Sequence, residues 1–192
     1  MSHAVVLVEE ESARIVVRDI AARLGIGGRT TVIAHEGRND LEKSISNKLS
    51  RWRSPDHCRF LILRDNDGGD CLLLKQRLLR LVPDTARDKT RIRIVMQELE
   101  AWYVGDPQAL NEAGFPSLTK VCRRARFRNS DRIAKPKLEL KRILGSAFEG
   151  QISMARQIAP HLSLDGSGST SFRQFLSALR WSSGLPPHQS HS

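Results

Sequence analysis

The sequence predicts a mostly parallel, doubly wound α/β sheet of about four strands, followed by a helical, basic extension. Two observations carry this. Strand-length apolar runs alternate with stretches of helical periodicity as far as Trp102, and that alternation is the mark of a parallel sheet with helices on both faces. Beyond Gly105 the apolar runs lose strand character and basic residues crowd together. At 192 residues, 40% hydrophobic and 27% charged, the chain is long enough for one domain with a modest extension and is globular in composition. The expected division is a core over 1–105, a helical extension packed on it over 106–184, and a disordered tail over 185–192.

His3–Val8 reads as the first buried strand and runs into Glu9-Glu10-Glu11-Ser12. Ser12 is placed to cap a helix carrying Ile15, Val16, Ile20 and Leu24 at helical spacing, with Gly25 ending it and Gly27–Gly28 in a loop. Thr30–Ala34, rich in β-branched residues, is the second strand. After the turn His35–Asn39, either Asn39 or Asp40 caps a helix through Leu41, Ile45 and Leu49. The third strand centres on Phe60–Leu63 and ends in Asp65-Asn66-Asp67-Gly68-Gly69-Asp70. A helix over Leu72–Arg80 stops near Pro83, and Arg91–Met96 is the fourth strand, leading into Gln97-Glu98-Leu99-Glu100-Ala101-Trp102. Asp106-Pro107 starts another helix, with further helices at Pro136–Gly145, Ile152–Ala159 and Ser171–Trp181. Asp165–Ser169 reads as a flexible linker.

Three of the four strand ends are acidic: the glutamates at Glu9, Asp65 with Asp67, and Glu98 with Glu100. In an open α/β sheet these ends share one edge, where ligands bind. On an extended chain Asp65 and Asp67 point the same way, and carboxylates that close need compensation. A hard divalent cation, Mg2+ or Mn2+, is the usual one. A solvated turn is the plainer alternative for Asp, Asn and Gly.

The net charge of +10 points to a polyanionic partner, and ten basic residues between Lys120 and Arg142 face only Asp131 and Glu139, a net +8 of that total. Lys120, Arg123, Arg124, Arg126, Arg128, Arg132, Lys135 and Lys137, with Phe127 among them, form a candidate groove tracking a nucleic-acid backbone, DNA or RNA. A merely solvated basic face is the alternative. No apolar run approaches a membrane span. Met1–His3 leads straight into a strand, which reads as no signal peptide, and Cys58, Cys71 and Cys122 show no paired spacing; the expected location is cytoplasmic.

Val8-Glu9 before a helix and Asp65-Asn-Asp67 after a strand resemble the two signatures of the Toprim fold of topoisomerases, primases and overcoming-lysogenization-defect (OLD) nucleases. The chain resembles more closely the Toprim-like bacterial family known as domain-of-unknown-function family 4276. That likeness runs through His35-Glu-Gly37, Asp70-Cys71, Lys75, Glu98-Leu-Glu100-Ala-Trp102, Asp106, Pro136-Lys137 and Ser171-Phe172. Glu10 stands where the family has glycine, and Ala13 where it has a later acid, which leaves open whether Glu9 or Glu10 faces a metal.

The resemblance implies a Mg2+- or Mn2+-dependent nuclease. Glu9, Asp65 and Asp67 would hold one cation, Glu98 and Glu100 a second, and Lys75 would contact phosphate. If the chain past Gln97 is extended, Glu98 and Glu100 face together; if helical, only one reaches the site. The resemblance further implies a bacterial anti-phage defence role with a separate ABC/AAA-type ATPase, and it leaves room for a homo-oligomer. The alternative is a non-catalytic nucleic-acid-binding or regulatory subunit with a degenerate site. Topoisomerase action is disfavoured, since Tyr103, the single tyrosine, sits in a core-like helix.

Overall fold

The computed structural model describes residues 2–53, 55–165 and 167–186. Its strands are β1 (His3–Val8), β2 (Thr30–Ala34), β3 (Cys58–Asp65) and β4 (Thr90–Val95). Among the described residues they form one sheet in the order β2-β1-β3-β4, and every pairing is parallel. The chain steps from β1 outward to β2 on one side, then from β3 outward to β4 on the other. The winding therefore reverses between β1 and β3, and that reversal opens a crevice beyond their carboxyl ends. Ala4–Val8 and Phe60–Ile62 are fully buried, as strands covered on both faces must be.

Helix α1 (Glu11–Arg23) buries Val16, Val17 and Ile20 against one face of the sheet. Helix α2 (Arg38–Ser50) presents Leu41, Ile45 and Leu49 to the other face, where α3 (Cys71–Leu81) joins it through Leu78. The rest of the chain, α4 (Glu100–Val104), α5 (Pro107–Glu112), α6 (Pro116–Cys122), α7 (Pro136–Leu144), α8 (Gln151–Ile158) and α9 (Thr170–Ser182), packs into the same apolar cluster as α1. Trp102 on α4 anchors that cluster, its ring 4.9 Å from those of both Phe172 and Phe175 on α9.

Some expected details differ. Ser12 does not cap α1; it lies inside the helix and its hydroxyl donates to Glu10 at 2.7 Å, while Glu10 occupies the cap position. Neither Asn39 nor Asp40 caps α2, because Gly37, at φ +93°, makes the turn, and Asp40 instead accepts the backbone N–H of Glu36. Helix α6, begun by Pro116, was not expected.

The segment expected to be a flexible linker, Asp165–Ser169, is held at Ser167 and Ser169. Ser167 and Ser169 are buried, and the Ser169 hydroxyl donates to Asp131 at 2.7 Å while capping α9. The buried Asp131 carboxylate needs donors, and Ser169 and Ser171 supply them. Of the tail expected to be disordered, Leu185 packs on the core and donates its backbone N–H to Arg180, whereas residues 187–192 lie outside the described residues. Phe127, expected within a nucleic-acid groove, is buried in the core.

Candidate functional site

Glu9 follows β1 directly and Asp65 ends β3, so the two acids flank the crevice at the reversal of the sheet. The Glu9 carbonyl accepts the N–H of Gly37, and His35 Nδ1 donates to the Val8 carbonyl at 2.8 Å, tying the loop after β2 to the end of β1. Burial pushes the His35 ring below its ordinary pKa, and its second nitrogen is engaged by Ser44, so His35 is a tie within the fold.

Asp65 is partly accessible and accepts the backbone N–H of Leu99 at 3.3 Å. Desolvation raises its carboxyl well above the usual range, and the charges of Glu9, Glu100, Glu10 and Asp67 push it further. Asp67 does not continue the strand. Its φ of +49° breaks the extended chain, so the expected common direction of Asp65 and Asp67 is lost. Asp67 instead reaches outward to Arg64 at 3.3 Å and Arg38 at 3.7 Å.

Helix α4 starts at Glu100, after Glu98 and the cap residue Leu99, so the two glutamates are not on one extended stretch, and it is Glu100 that turns inward. Glu100 is 2% exposed, and burial raises its carboxyl to about 7. Glu98, half-buried, accepts the backbone N–H of Lys137 at the start of α7, at 3.0 Å, and its charge bears on Glu100. Glu10 accepts from Ser12 and from Gln151, and its charge bears on both Asp65 and Glu100.

Two residues unmarked by sequence reasoning complete the group. Tyr103, expected in a core-like helix, is indeed fully buried, but its hydroxyl has no hydrogen-bond partner among the described residues and feels the charges of Glu100, Glu10 and Asp65. Arg64, 3% exposed, donates from Nη1 to Glu9 at 2.7 Å, to Asp67, and to the Asp65 carbonyl. The legible signal for Arg64 was a cation between the apolar run Phe60–Leu63 and Asp65, still within β3.

The donor set of Glu9, Asp65, Asp67 and Glu100 is all oxygen, which suits Mg2+ or Mn2+. The orphaned Tyr103 hydroxyl and the raised Asp65 and Glu100 carboxyls mark a place short of positive charge and donors. As placed, no three His, Cys, Asp or Glu side chains among the described residues close around one point. The residues fit the ion by chemistry, with Arg64 holding two of the carboxylates.

Lys75 on α3 does not join the acids. It lines a separate cavity of about 440 Å³ with Arg93, Met96 and Arg132. In the basic run, Lys120, Arg123, Arg124, Arg128, Arg132 and Lys135 are exposed and Lys137 is half-buried. Arg126 is exposed too, but it pairs with Glu139 at 2.8 Å.

A family model described as "Domain of unknown function (DUF4276)" matches residues 8–180. No curated protein matches. Among solved structures, the C-terminal region of the Burkholderia pseudomallei OLD protein is similar with a TM-score of 0.56 at 14% identity, over 95% of this chain and 99% of that one. The C-terminal region of the Xanthomonas campestris pv. campestris OLD protein gives 0.55 at 20% identity, over 96% and 97%. The fold is thus Toprim-like, of the kind found in OLD C-terminal regions.

Proposed function

Because the chain belongs to the DUF4276 family and has the fold of OLD C-terminal regions, we propose that it is a Mg2+- or Mn2+-dependent Toprim-type nuclease cleaving nucleic-acid phosphodiesters. The observation that supports this most is the crowding of negative charge on Asp65, from Glu9, Glu100, Glu10 and Asp67, beyond the carboxyl ends of β1 and β3. A bound divalent ion would supply Lewis acidity toward the phosphoryl oxygen and lower the pKa of a water. The chain's own part is to gather oxygen donors there and exclude bulk water around Glu100.

The exposed arginines and lysines between Lys120 and Lys137 supply the backbone contacts, and Lys75 and Arg132, which share one cavity, join the core to that basic surface. To hold a second ion with Glu100, Glu98 would have to share or release the Lys137 N–H at the start of α7. The proposal extends to work in anti-phage defence beside a separate ABC/AAA-type ATPase in the cytoplasm; no helix among the described residues is long and apolar enough to cross a membrane.

One observation favours the alternative of a non-catalytic binding or regulatory subunit. Arg64 already neutralises part of the acidic group. The deciding experiment incubates the protein with plasmid, single strands and tRNA in Mn2+, Mg2+ or chelator, beside Glu9→Gln and Asp65→Asn. Metal-dependent cutting lost in both variants supports the nuclease. Cutting that persists in both removes the site as drawn, and binding without cutting under every condition favours the subunit.

A further inference from the structure

Arg64 presents an unusual balance of partners. A guanidinium 3% exposed must be paired, since an isolated buried charge is costly. Yet its pairing is incomplete. Nη1 carries two hydrogens and faces three acceptors, Glu9, Asp67 and the Asp65 carbonyl, so all three bonds cannot be satisfied together. Among the described residues Nε is buried without a hydrogen-bond partner, and Glu42, at 3.8 Å, is too distant to provide one. The same side chain lines a cavity of about 400 Å³ with Arg38, Asp67 and Arg77, so there is room beside it for the guanidinium to turn into.

We propose that Arg64 is a resident counter-cation that competes with the divalent ion for Glu9 and Asp67 and yields its place on binding. This rests on the metal-dependent reading above. In the metal-free protein Arg64 holds Glu9 and Asp67 and keeps their charges from repelling each other and Asp65. If both carboxylates turned to an ion, Arg64 would keep Glu42, at 3.8 Å, as its remaining ionic partner and would swing into the cavity beside Arg38 and Arg77. Three guanidinium groups then line one wall next to the site, an arrangement suited to a phosphate. Each bond from Arg64 to Glu9 or Asp67 occupies an oxygen that the ion would otherwise take, so Arg64 offsets part of the acidic charge until the ion arrives.

The test uses Mn2+ alone as probe and needs no substrate. Free Mn2+ is followed by electron paramagnetic resonance during titration of wild type, Arg64→Gln and Arg77→Gln. Removing the competitor leaves the carboxylate charge to the ion, so Arg64→Gln is expected to bind roughly tenfold tighter or more. Arg77→Gln, which removes an exposed charge paired with Glu42, controls for general electrostatics and should change affinity far less. Equal or weaker binding by Arg64→Gln, with wild type binding normally, overturns the proposal and leaves the metal reading standing. If neither wild type nor Arg64→Gln binds, both fall. Should Arg64→Gln fail to fold in chelator, Mn2+ should restore its near-ultraviolet circular dichroism, the ion standing in for the lost charge. A chain that stays unfolded in millimolar Mn2+ counts against the proposal.

Discussion

Asn66 Oδ1 accepts the backbone N–H of Gln97 at 2.5 Å, and this contact helps bind the loop after β3 to the loop after β4. Asp67 N–H donates to the Gln97 carbonyl at 3.1 Å, and both Asp67 and Gln97 take left-handed φ values. Asn66 also accepts from Gly68 and donates to the Gly69 carbonyl, so its amide replaces the hydrogen bonds a regular turn would make. Asn66→Ala should cost roughly 1–3 kcal/mol by leaving these groups unpaired. Gln97→Gly should hold or raise the melting temperature, because relief of about 1–2 kcal/mol in the left-handed region offsets the usual glycine penalty. Thermal melts of the two variants check both; a destabilised Gln97→Gly contradicts the strain argument.

Gly105 is needed for close approach. A Cβ there would meet Ser130 Oγ at 2.7 Å and the Ser169 backbone nitrogen at 3.0 Å, and its carbonyl accepts from Gly168 at 2.8 Å. Gly105→Ala should therefore lower stability by about 1–3 kcal/mol through overpacking. Because Ser169 and Ser171 hold Asp131, the loss should be visible as faster hydrogen exchange at the start of α9.

The basic run should divide by its partners. Neutralising Arg123, Arg124, Arg128 and Arg132, all exposed, should flatten the log–log salt dependence of nucleic-acid binding by roughly 0.7–0.9 for each phosphate no longer neutralised. Arg126→Gln should change the slope less, since Glu139 already holds that guanidinium and it lies 4.5 Å over the Phe127 ring. An unchanged slope in the fourfold variant means the face is only solvated.

The strands were legible because parallel, doubly buried strands are continuous apolar runs: β1 and β2 have the bounds that the residues suggest, and β3 and β4 differ only at their ends. The acids at strand ends were legible for the same reason, since a parallel sheet puts them on one edge. What the pattern hid was direction. Nothing local marks Asp67 as left-handed, because its conformation is set by the Gln97 carbonyl, which is distant in sequence. Arg64 was hidden because its partners, Glu9 and Glu42, come from other elements. The supposed Asp165–Ser169 linker failed similarly: Gly and Ser suggest flexibility, and only the buried Asp131 explains why serines are needed there.

The acid at Glu100 makes a pH prediction whose sign is definite. Burial raises its folded pKa from 4.5 to about 7. The folded state then binds more protons than the unfolded state between these values, so this group lowers stability as pH rises through that window. Its cost is absent below about pH 4.5 and complete above about pH 7, reaching at most about 3 kcal/mol by the usual 1.36 kcal/mol per unit. Asp65 and Glu9, also raised by burial, act in the same direction. His35 opposes them: its ring is lowered from 6.5, so its contribution grows as pH rises toward that value. Comparing wild type with Glu100→Gln in chelator cancels the His35 contribution, because the amide keeps the shape and removes only the carboxyl's titration. The two proteins should be nearly equally stable at pH 4.5. The variant should become progressively more stable than wild type up to about pH 7, and the gap should then stay level. Denaturant melts at half-unit intervals measure it. A gap that is flat across pH, or that favours wild type at pH 8, would show that Glu100 is compensated in the metal-free fold.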